Sequence, residues 1–327
     1  MRPLKAVFAE TVLNATGAER IVTIELIQSL WSGYGEILRV GLQGAEIPSV
    51  ILKYISFPVQ VVHPRGWGTD FSHQRKITSY NVEMHWYRHW AERCDDLCRV
   101  PRCYAAFSDE QDHLIVLEDL DHSGYVARKN ELSRQEVRVC LQWLANFHAR
   151  FLEQKPEGLW DIGTYWHLKT RPDEYAAMPS SALKAAAAKI DARLNQCRFQ
   201  TIVHGDAKVA NFCFSEALDA VAVVDFQYVG GGCGMKDVAY FLGSCLTEKQ
   251  CLAWEDSLLD EYFSFLQQAL SRLGKPIDFV ALRTEWLDLF PWAWTDFYRF
   301  LVGWMPDHRK INKYTEHLAS KVLTSLP

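Results

Sequence analysis

The strongest constraint in this sequence is a pair of polar motifs set among short apolar runs. Asp206 is followed by Asn211 five positions later, and Asp225 begins an Asp-Phe-Gln triplet further along the chain. Apolar runs flank both motifs and predict short strands, at 201–203, 212–214 and 220–224. The polar side chains therefore fall at strand ends, where neighbouring strands fix their relative positions.

The spacing of Asp206 and Asn211 is typical of the catalytic loop of a phosphoryl-transfer enzyme. In such a loop the carboxylate lies beside the attacking hydroxyl and the carboxamide holds a metal ion. We therefore predict that Asp206 accepts the proton of the hydroxyl, and that Asn211 and Asp225 bind magnesium. His204 is predicted to fix the loop by hydrogen bonds, because Asp206 already has the role of base. Lys208 either stabilises charge on the transferred phosphoryl group or is a solvated loop lysine.

The first part of the chain contains the other parts of a nucleotide site in the required order. Gly33 and Gly35 lie in a Ser-Gly-Tyr-Gly turn, where glycine lets backbone N–H groups approach phosphate. Lys53 interrupts an apolar run, and a cation in a strand fit for burial needs a partner. The candidate partner is Glu83, on a helix predicted over 77–93. The alternatives are a plain hairpin turn and an edge-strand lysine beside a solvated glutamate.

The pattern of apolar residues changes along the chain and predicts two lobes. Strand patterns dominate up to about residue 118, whereas helix caps and helical periodicity dominate after residue 130. A capping box predicts one helix after Ser133, and Thr247 begins another that stops at Gly274. We predict an α+β chain with a small β-rich N-lobe over 1–118 and a larger, mostly helical C-lobe over 119–327.

Size and charge exclude several classes of protein. A chain of 327 residues with 49% hydrophobic content can bury sizeable cores. Its net charge of −5 offers no basic field for a polyphosphate backbone, so we expect no nucleic-acid partner. No stretch approaches the roughly 18 apolar residues of a membrane span, so we expect no membrane partner and a cytoplasmic location. The oligomeric state cannot be inferred.

The nine cysteines are an odd number in an otherwise ordinary composition, which favours free thiols over a disulfide framework. Cys94, Cys98 and Cys103 are close together in the sequence. They lack the paired C-x-x-C spacing of a zinc site, so we interpret them as structural thiols.

Together these features resemble the aminoglycoside phosphotransferase and choline kinase superfamily, and most of all its ecdysteroid-kinase-like (CHK-kinase-like) branch. Further motifs contribute to the resemblance, namely Leu117-Glu118-Asp119-Leu120, Leu144-Ala145-x-x-His148 and Asp237-x-Ala239-Tyr240-Phe241-Leu242. The resemblance implies a bilobal protein-kinase-like fold, ATP and Mg²⁺ as cofactors, and a small-molecule hydroxyl as acceptor. It also implies that adenine docks on the backbone at Glu118 and Leu120.

Other functions fit parts of the sequence. The glycine run 230–234 suggests a dinucleotide site, but the third glycine of that fingerprint is missing. We interpret the run as a compact turn that leads to Asp237. A metallophosphoesterase built on His204 and Asp206 would need further histidine-rich metal motifs.

A protein kinase and a silent regulator are the remaining alternatives. The segment between Gln227 and Asp237 contains no Ser or Thr, and no A-P-E follows it, which argues against a protein kinase. A catalytically silent nucleotide-binding pseudokinase stays open as the alternative function, although no core residue is missing from the motifs.

An aromatic segment near the C-terminus is the candidate acceptor site. Trp292 and Trp294 lie beside Pro291, where a helix break is expected, and are therefore free to face a ligand. Other aromatic residues recur at helical spacing and are predicted to be core, namely Phe297, Phe300 and Trp304.

The charge of this segment suggests the kind of acceptor. Asp296 beside the tryptophans favours a cation, and aromatic faces suit a quaternary amine or a flat apolar body. We therefore expect an amino alcohol or an apolar alcohol, choline-like or steroid-like. A polycationic aminoglycoside would need a more acidic pocket.

Overall fold

The computed structural model describes residues 4–30, 33–56, 70–109 and 112–326. Ser32, the first residue of the predicted glycine turn, lies outside these ranges. The N-terminal part contains α1 (Ala6–Thr16), β1 (Arg20–Ser29), β2 (Gly35–Gln43), β3 (Ser49–Ser56), α2 (Asp70–His89), β4 (Cys103–Ser108) and β5 (Asp112–Glu118). The C-terminal part contains α3 (Arg134–Phe151), α4 (Pro172–Ala177), α5 (Ala182–Asn195), β6 (Thr201–Val203), β7 (Phe212–Phe214), β8 (Val221–Val223), β9 (Gly230–Gly232), α6 (Met235–Cys245), α7 (Glu248–Arg272), α8 (Phe279–Trp304) and α9 (Lys313–Ser325).

The N-lobe is an antiparallel sheet with the strand order β1-β2-β3-β5-β4. Successive side chains of a strand point to opposite faces. In β3, Val50 and Leu52 pack in the apolar cluster that includes α1, whereas Lys53 faces α2 on the other side. The register places Lys53 between Ile37 of β2 and Ile115 of β5. The alternation along β3 thus sets one cation on a buried face of the sheet.

The C-lobe is mostly helical, and the predicted α+β class with a small β-rich N-lobe and a larger helical C-lobe is confirmed. Ser133 and Thr247 cap α3 and α7 with complete capping boxes, as predicted. The chain turns after α7 at Gly274, whose φ is 63°. We keep the division into 1–118 and 119–327 as a proposal, because β5 ends at Glu118.

Helix α2 differs in its bounds from the helix predicted over 77–93. It begins earlier, and its first turns carry Arg75 and Lys76, which contact Thr170 O and the Gln227 side chain. Because these turns bind polar partners instead of an apolar core, their sequence lacks the helical apolar period. Further along α2, the Trp86 ring stacks on Phe226 with centroids 4.5 Å apart.

The glycine run is a strand and a tight backbone contact, which corrects its interpretation as a compact turn. Gly230–Gly232 forms β9 and pairs antiparallel with β6. A Cβ on Gly230 would lie 2.2 Å from Trp160 O, and one on Gly231 would lie 2.7 Å from Asp161 O. Glycine is therefore needed here because another segment of backbone packs directly against the strand.

The helix break expected at Pro291 is also wrong. Helix α8 continues through this proline from Phe279 to Trp304. Proline removes one backbone N–H donor from a helix. The helix continues because its two faces are packed along their length, against α5, α6 and α9. Tertiary packing here outweighs the local preference of proline.

Two further findings concern the sequence-level expectations. Within the described residues, no helix combines the length and the apolar character that crossing a bilayer requires. The nine cysteines are free thiols, and the described part of the chain contains no group of three or more His, Cys, Asp or Glu side chains arranged to hold a metal.

The packing of β9 gives the first testable prediction. Gly230→Ala should lower the free energy of unfolding by about 1–3 kcal/mol, because its Cβ would overlap Trp160 and displace the neighbouring backbone. Gly232→Ala is the matched control, since a Cβ there meets its nearest neighbour at 3.4 Å, an ordinary contact. Urea unfolding of both variants measures the difference, and equal stabilities would contradict the close approach.

Candidate active site

A buried lysine joins three segments at the centre of the site. Lys53 Nζ lies 2.7 Å from Glu83 Oε2 and 3.0 Å from Asp225 Oδ1. The structure thus brings together the predicted pair on β3 and α2 and adds the aspartate that follows β8. Burial alone would lower the pKa of Lys53, but the carboxylates of Asp225 and Glu83 raise it above its ordinary value. Lys53 is therefore a permanent cation.

Asp225 lies at a backbone position that L-residues rarely adopt, with φ of 71°. Such strain clusters at functional sites, where the surrounding structure holds it in place. Burial would raise the pKa of Asp225, but the charges of Lys53, Lys208 and Lys76 hold it well below its usual range. The Asp225 carboxylate is therefore ionised at neutral pH.

Asp206 lies in a network of three donors. Its Oδ2 accepts from Lys208 Nζ at 2.8 Å, and its Oδ1 accepts from the Tyr240 hydroxyl at 3.1 Å. Asn211 Nδ2 donates to Asp206 O at 2.8 Å and lies 3.3 Å from Oδ2. The two residues of the Asp-x4-Asn motif are thus in direct contact, and Lys208 is held in an ion pair beside them.

His204 and Asp237 support the loop from below. The Asp237 carboxylate accepts from the backbone N–H groups of His204 and Gly205, at 2.5 and 2.9 Å, and from His148 Nε2 at 3.1 Å. His204 Nε2 donates to Val224 O at 3.0 Å. Asp237 therefore supports the loop and is more than a residue at the start of α6.

The His204 ring is suited to a positioning role. Its Nδ1 accepts from the backbone N–H of Asp206, and burial lowers the pKa of the imidazole. Both ring nitrogens are thus engaged in one neutral tautomer. The adjacent Gly205 has φ of 79°, and a Cβ there would lie 2.0 Å from Tyr228 O. The loop is fixed by backbone contacts that permit only glycine.

The glycine turn before β2 is a close-packed hairpin. Gly33 and Gly35 have φ of 76° and 143°, and a Cβ on Gly35 would lie 2.0 Å from Tyr54 O. Between them, the buried Tyr34 directs its hydroxyl to His73 Nδ1, 2.5 Å away. The turn is therefore tied to α2 as well as to β3.

The segment between the lobes uses its acidic side chains in structural contacts. Glu118 is bonded to Arg99 and to the backbone N–H of Arg102, and Asp119 is bonded to Arg39. Leu120 lies in an apolar cluster with Cys213 and Ala222. The backbone of Glu118 and Leu120, and not their side chains, is thus the part that can contact a base.

The three predicted acceptor residues lie in different surroundings. Trp294 lines a cavity of about 380 Å³, and its Nε1 is buried with no hydrogen-bond partner among the described residues. Trp292 is half-buried and packs against the large core. Asp296 is a correction, because its carboxylate is buried and already accepts from Arg299 Nε at 3.0 Å and Trp166 Nε1 at 3.1 Å. It therefore offers no charge to a ligand.

Beside Asp206 the structure places an aromatic floor that the sequence did not reveal, made of Tyr165, Tyr240, Phe297 and Phe300. The Tyr165 ring lies 5.5 Å from both Tyr240 and Phe300, and Tyr240 lies 4.9 Å from Phe297. Phe297 and Phe300, predicted as core, are indeed buried. Tyr240 stands in the motif that follows Asp237, but no local signal identifies Tyr165.

Cations border this aromatic floor. Lys310 Nζ lies 4.6 Å from the centre of the Tyr240 ring, and Arg171 stacks over Tyr165 with a separation of 5.5 Å. Lys76 donates to Gln227 Oε1 at 2.8 Å, and burial lowers its pKa. These cations come from distant parts of the sequence, so only the fold brings them together.

Known protein families account for this arrangement. The sequence profile of the Phosphotransferase enzyme family matches residues 68–274, more than half of the chain. The chain belongs to this family. The matched part includes Glu83, Asp206 and Asp225, whereas Lys53 precedes it. A search of curated proteins finds no match.

Solved structures are similar to this phosphotransferase over most of its length. Amicoumacin kinase hAmiN, in complex with AMP-PNP, Ca²⁺ and Ami, has 14% identity and a TM-score of 0.52, covering 92% of this chain and 86% of that one. At this identity the likeness shows the fold alone. A microcompartment-associated aminopropanol kinase has 15% identity and a TM-score of 0.49, with 98% and 94% covered. A putative fructosamine-3-kinase from Haemophilus somnus has 13% identity and a TM-score of 0.49, with 97% and 95% covered.

Lys310 gives a prediction on stability and pH. Burial, together with the charge of Arg309, lowers its pKa to about 8 from the usual 10.5. Between these values the unfolded chain binds the proton and the folded chain does not, so stability rises with pH in that window. Relative to Lys310→Met, the wild-type protein should gain at most about 3 kcal/mol from pH 8 to 10.5 and nothing below pH 7.

Urea unfolding at a series of pH values measures this gain. Lys321→Met, at an exposed position on α9, is the control and should show no such pH dependence relative to wild type. A flat difference between wild type and Lys310→Met across the window would contradict the lowered pKa of Lys310.

Proposed function

We propose that this phosphotransferase is an ATP-dependent kinase that transfers the γ-phosphoryl group to a hydroxyl of a small molecule. The observation that carries the proposal is the contact of Lys53 with both Glu83 and Asp225, in a site where Asp206 and Asn211 are also in contact. Phosphoryl transfer depends chiefly on positioning and charge neutralisation. These residues supply both.

ATP fits the groups that the N-lobe presents. The backbone N–H groups of the turn at Gly33 and Gly35 would cover the phosphates, and Lys53 would bind them. Adenine would lie against the backbone of Glu118 and Leu120, over the apolar cluster that contains Leu120. Glu83 would hold the Lys53 ammonium in place.

A divalent metal, Mg²⁺ by expectation, fits Asp225 and Asn211. The Asp225 carboxylate is ionised, and the Asn211 amide nitrogen is used by Asp206, which leaves the amide oxygen as a hard ligand. A bound metal would neutralise phosphate charge. Magnesium commonly takes one or two protein ligands and completes its shell with phosphates and water, which suits a pair of ligands.

Asp206 is proposed to orient the acceptor hydroxyl and to take its proton, with Lys208 close enough to stabilise the transferred group. The ion pair of 2.8 Å between them argues against a merely solvated lysine. His204 is proposed to position Asp206 through its backbone N–H.

The acceptor is proposed to have an apolar or aromatic body. Steroid-like alcohols match the aromatic floor and the adjoining cavity, to which Trp294 contributes and which Lys310 borders. A choline-like cation is less well matched, because Asp206 and Glu174 are each already paired with a cation. The ecdysteroid-kinase-like branch stays a prediction.

The role of Asp206 is testable by substitution. Asp206→Asn should bind Mg·ATP as the wild type does but lose turnover by ~10²–10⁴-fold, because it lacks the base. Asp219→Asn, an exposed aspartate on the turn between β7 and β8, should keep full activity. ATP consumption is measured against pooled alcohols. Equal turnover of wild type and Asp206→Asn with every pool would favour the silent regulator instead.

The roles of Asp225 and Lys53 are separable by nucleotide binding. Asp225→Ala should abolish the part of ATP affinity that depends on Mg²⁺, whereas Lys53→Met should weaken ATP by roughly 10- to 100-fold and keep the dependence on Mg²⁺. Calorimetric titration of each variant with ATP, with Mg²⁺ and with EDTA, gives both quantities. Identical behaviour of the two variants would contradict one of the assignments.

A further inference from the structure

Two arginines meet at the edge of the aromatic floor. Arg75 on α2 donates through Nη1 to Thr170 O at 2.7 Å, and Arg171 is the next residue after that threonine. Arg171 in turn donates through Nε to Tyr165 O at 2.5 Å. The two guanidinium groups are therefore neighbours, although α2 and residue 171 are far apart in sequence.

This pair has less negative charge around it than positive. Arg75 has neutral hydrogen-bond partners in Thr170 O and Ser72 Oγ, at 2.7 and 3.3 Å. Arg171 has one carboxylate, Glu174, at 3.0 Å. Burial and the charge of Arg171 lower the pKa of Arg75, and the same charges bring the pKa of Tyr228 below its usual value against the opposing effect of burial. Both observations report an excess of positive charge.

The pair is distinct from the cations that face the metal and the phosphates. The charges that act on Asp225 are those of Lys53, Lys208 and Lys76. Arg75 instead interacts with Arg171, Tyr228 and Glu174. An anion held at the arginine pair is therefore a different group from the ATP phosphates.

The pair is nevertheless within reach of the catalytic base. The Tyr165 N–H donates to Gly205 O at 3.1 Å, in the loop that carries Asp206. The Tyr165 ring packs on Tyr240, whose hydroxyl contacts Asp206. Between the base and the arginines there is thus an aromatic surface and little else that is charged, apart from paired groups.

Building on the proposed kinase function, we propose that the acceptor carries an anionic group, a carboxylate or a phosphate, which Arg75 and Arg171 bind while its hydroxyl reaches Asp206. A guanidinium has five N–H donors and binds carboxylate or phosphate through two of them at once. The apolar body of the acceptor lies on the aromatic floor. The acceptor class is therefore an acidic alcohol.

The proposal is tested with matched probes on the wild-type enzyme loaded with Mg²⁺ and AMP-PNP, so that the phosphate site is already filled. The probes share one aromatic alcohol and differ in charge: 4-(hydroxymethyl)benzoate, 4-(hydroxymethyl)phenyl phosphate, 4-(hydroxymethyl)benzamide and 4-(hydroxymethyl)benzylamine. Equilibrium binding should favour an anionic probe over the amide by at least about tenfold, and the amine should bind worst. The stronger of the two anions identifies the carboxylate or the phosphate as the natural group.

Substitutions link this preference to the arginines. Arg75→Gln and Arg171→Gln should each lower the affinity for the preferred anion by roughly 10- to 100-fold and leave the amide unchanged. Arg75→Lys keeps the charge and should keep part of the preference. Arg193→Gln, an exposed arginine paired with Asp288, is the control and should bind all probes as wild type does. AMP-PNP affinity of each variant reports correct folding.

The possible failures are distinguishable. A wild-type enzyme that does not bind Mg·AMP-PNP contradicts the proposed function. An enzyme that binds it but takes the anionic probes no better than the amide contradicts the anion site alone. A preference for anions that survives in folded Arg75→Gln and Arg171→Gln overturns the assignment to these two residues.

Discussion

The ion pairs of Lys53 are the interaction on which this site depends. One ammonium group joins β3, α2 and the segment after β8, through Glu83 and Asp225. Removing one partner of a buried pair typically costs about 3–5 kcal/mol, because the remaining charge is left without compensation. Two carboxylates around one lysine also leave a local negative charge, which suits a divalent metal. The same contacts that fix the geometry therefore prepare the site for a metal-bound polyphosphate.

A second layer of contacts holds these charged groups in position. Asp237 fixes the catalytic loop through two backbone N–H groups, and His148 fixes Asp237 from α3. On the other side, Trp86 stacks on Phe226, next to Asp225. Because Glu83 and Trp86 lie on the same helix, a displacement of α2 would disturb both the Lys53 pair and the segment that carries Asp225. The position of α2 and the integrity of the metal site are thus coupled.

The sequence predicted those features whose signals are local. The Asp-x4-Asn spacing and the capping boxes at Ser133 and Thr247 are short-range patterns, and the structure contains them. The strand at Gly230 and the intact helix at Pro291 could not be predicted, since each depends on packing against a distant segment. The bounds of α2 were missed because its first turns contact polar partners.

The nature of the acceptor shows most clearly what local reasoning omits. An aspartate among tryptophans suggested a cation-binding pocket, but Asp296 is neutralised three residues away by Arg299. Charges of opposite sign at i and i+3 on a helix face one another, so a local acid there says little about the field in a cleft. The charges that border Asp206 come instead from Arg75, Arg171 and Lys310, and only the fold brings them together. A net charge of −5 therefore coexists with a basic active site. A substrate search that starts from amines follows the sequence, whereas the folded site favours acids.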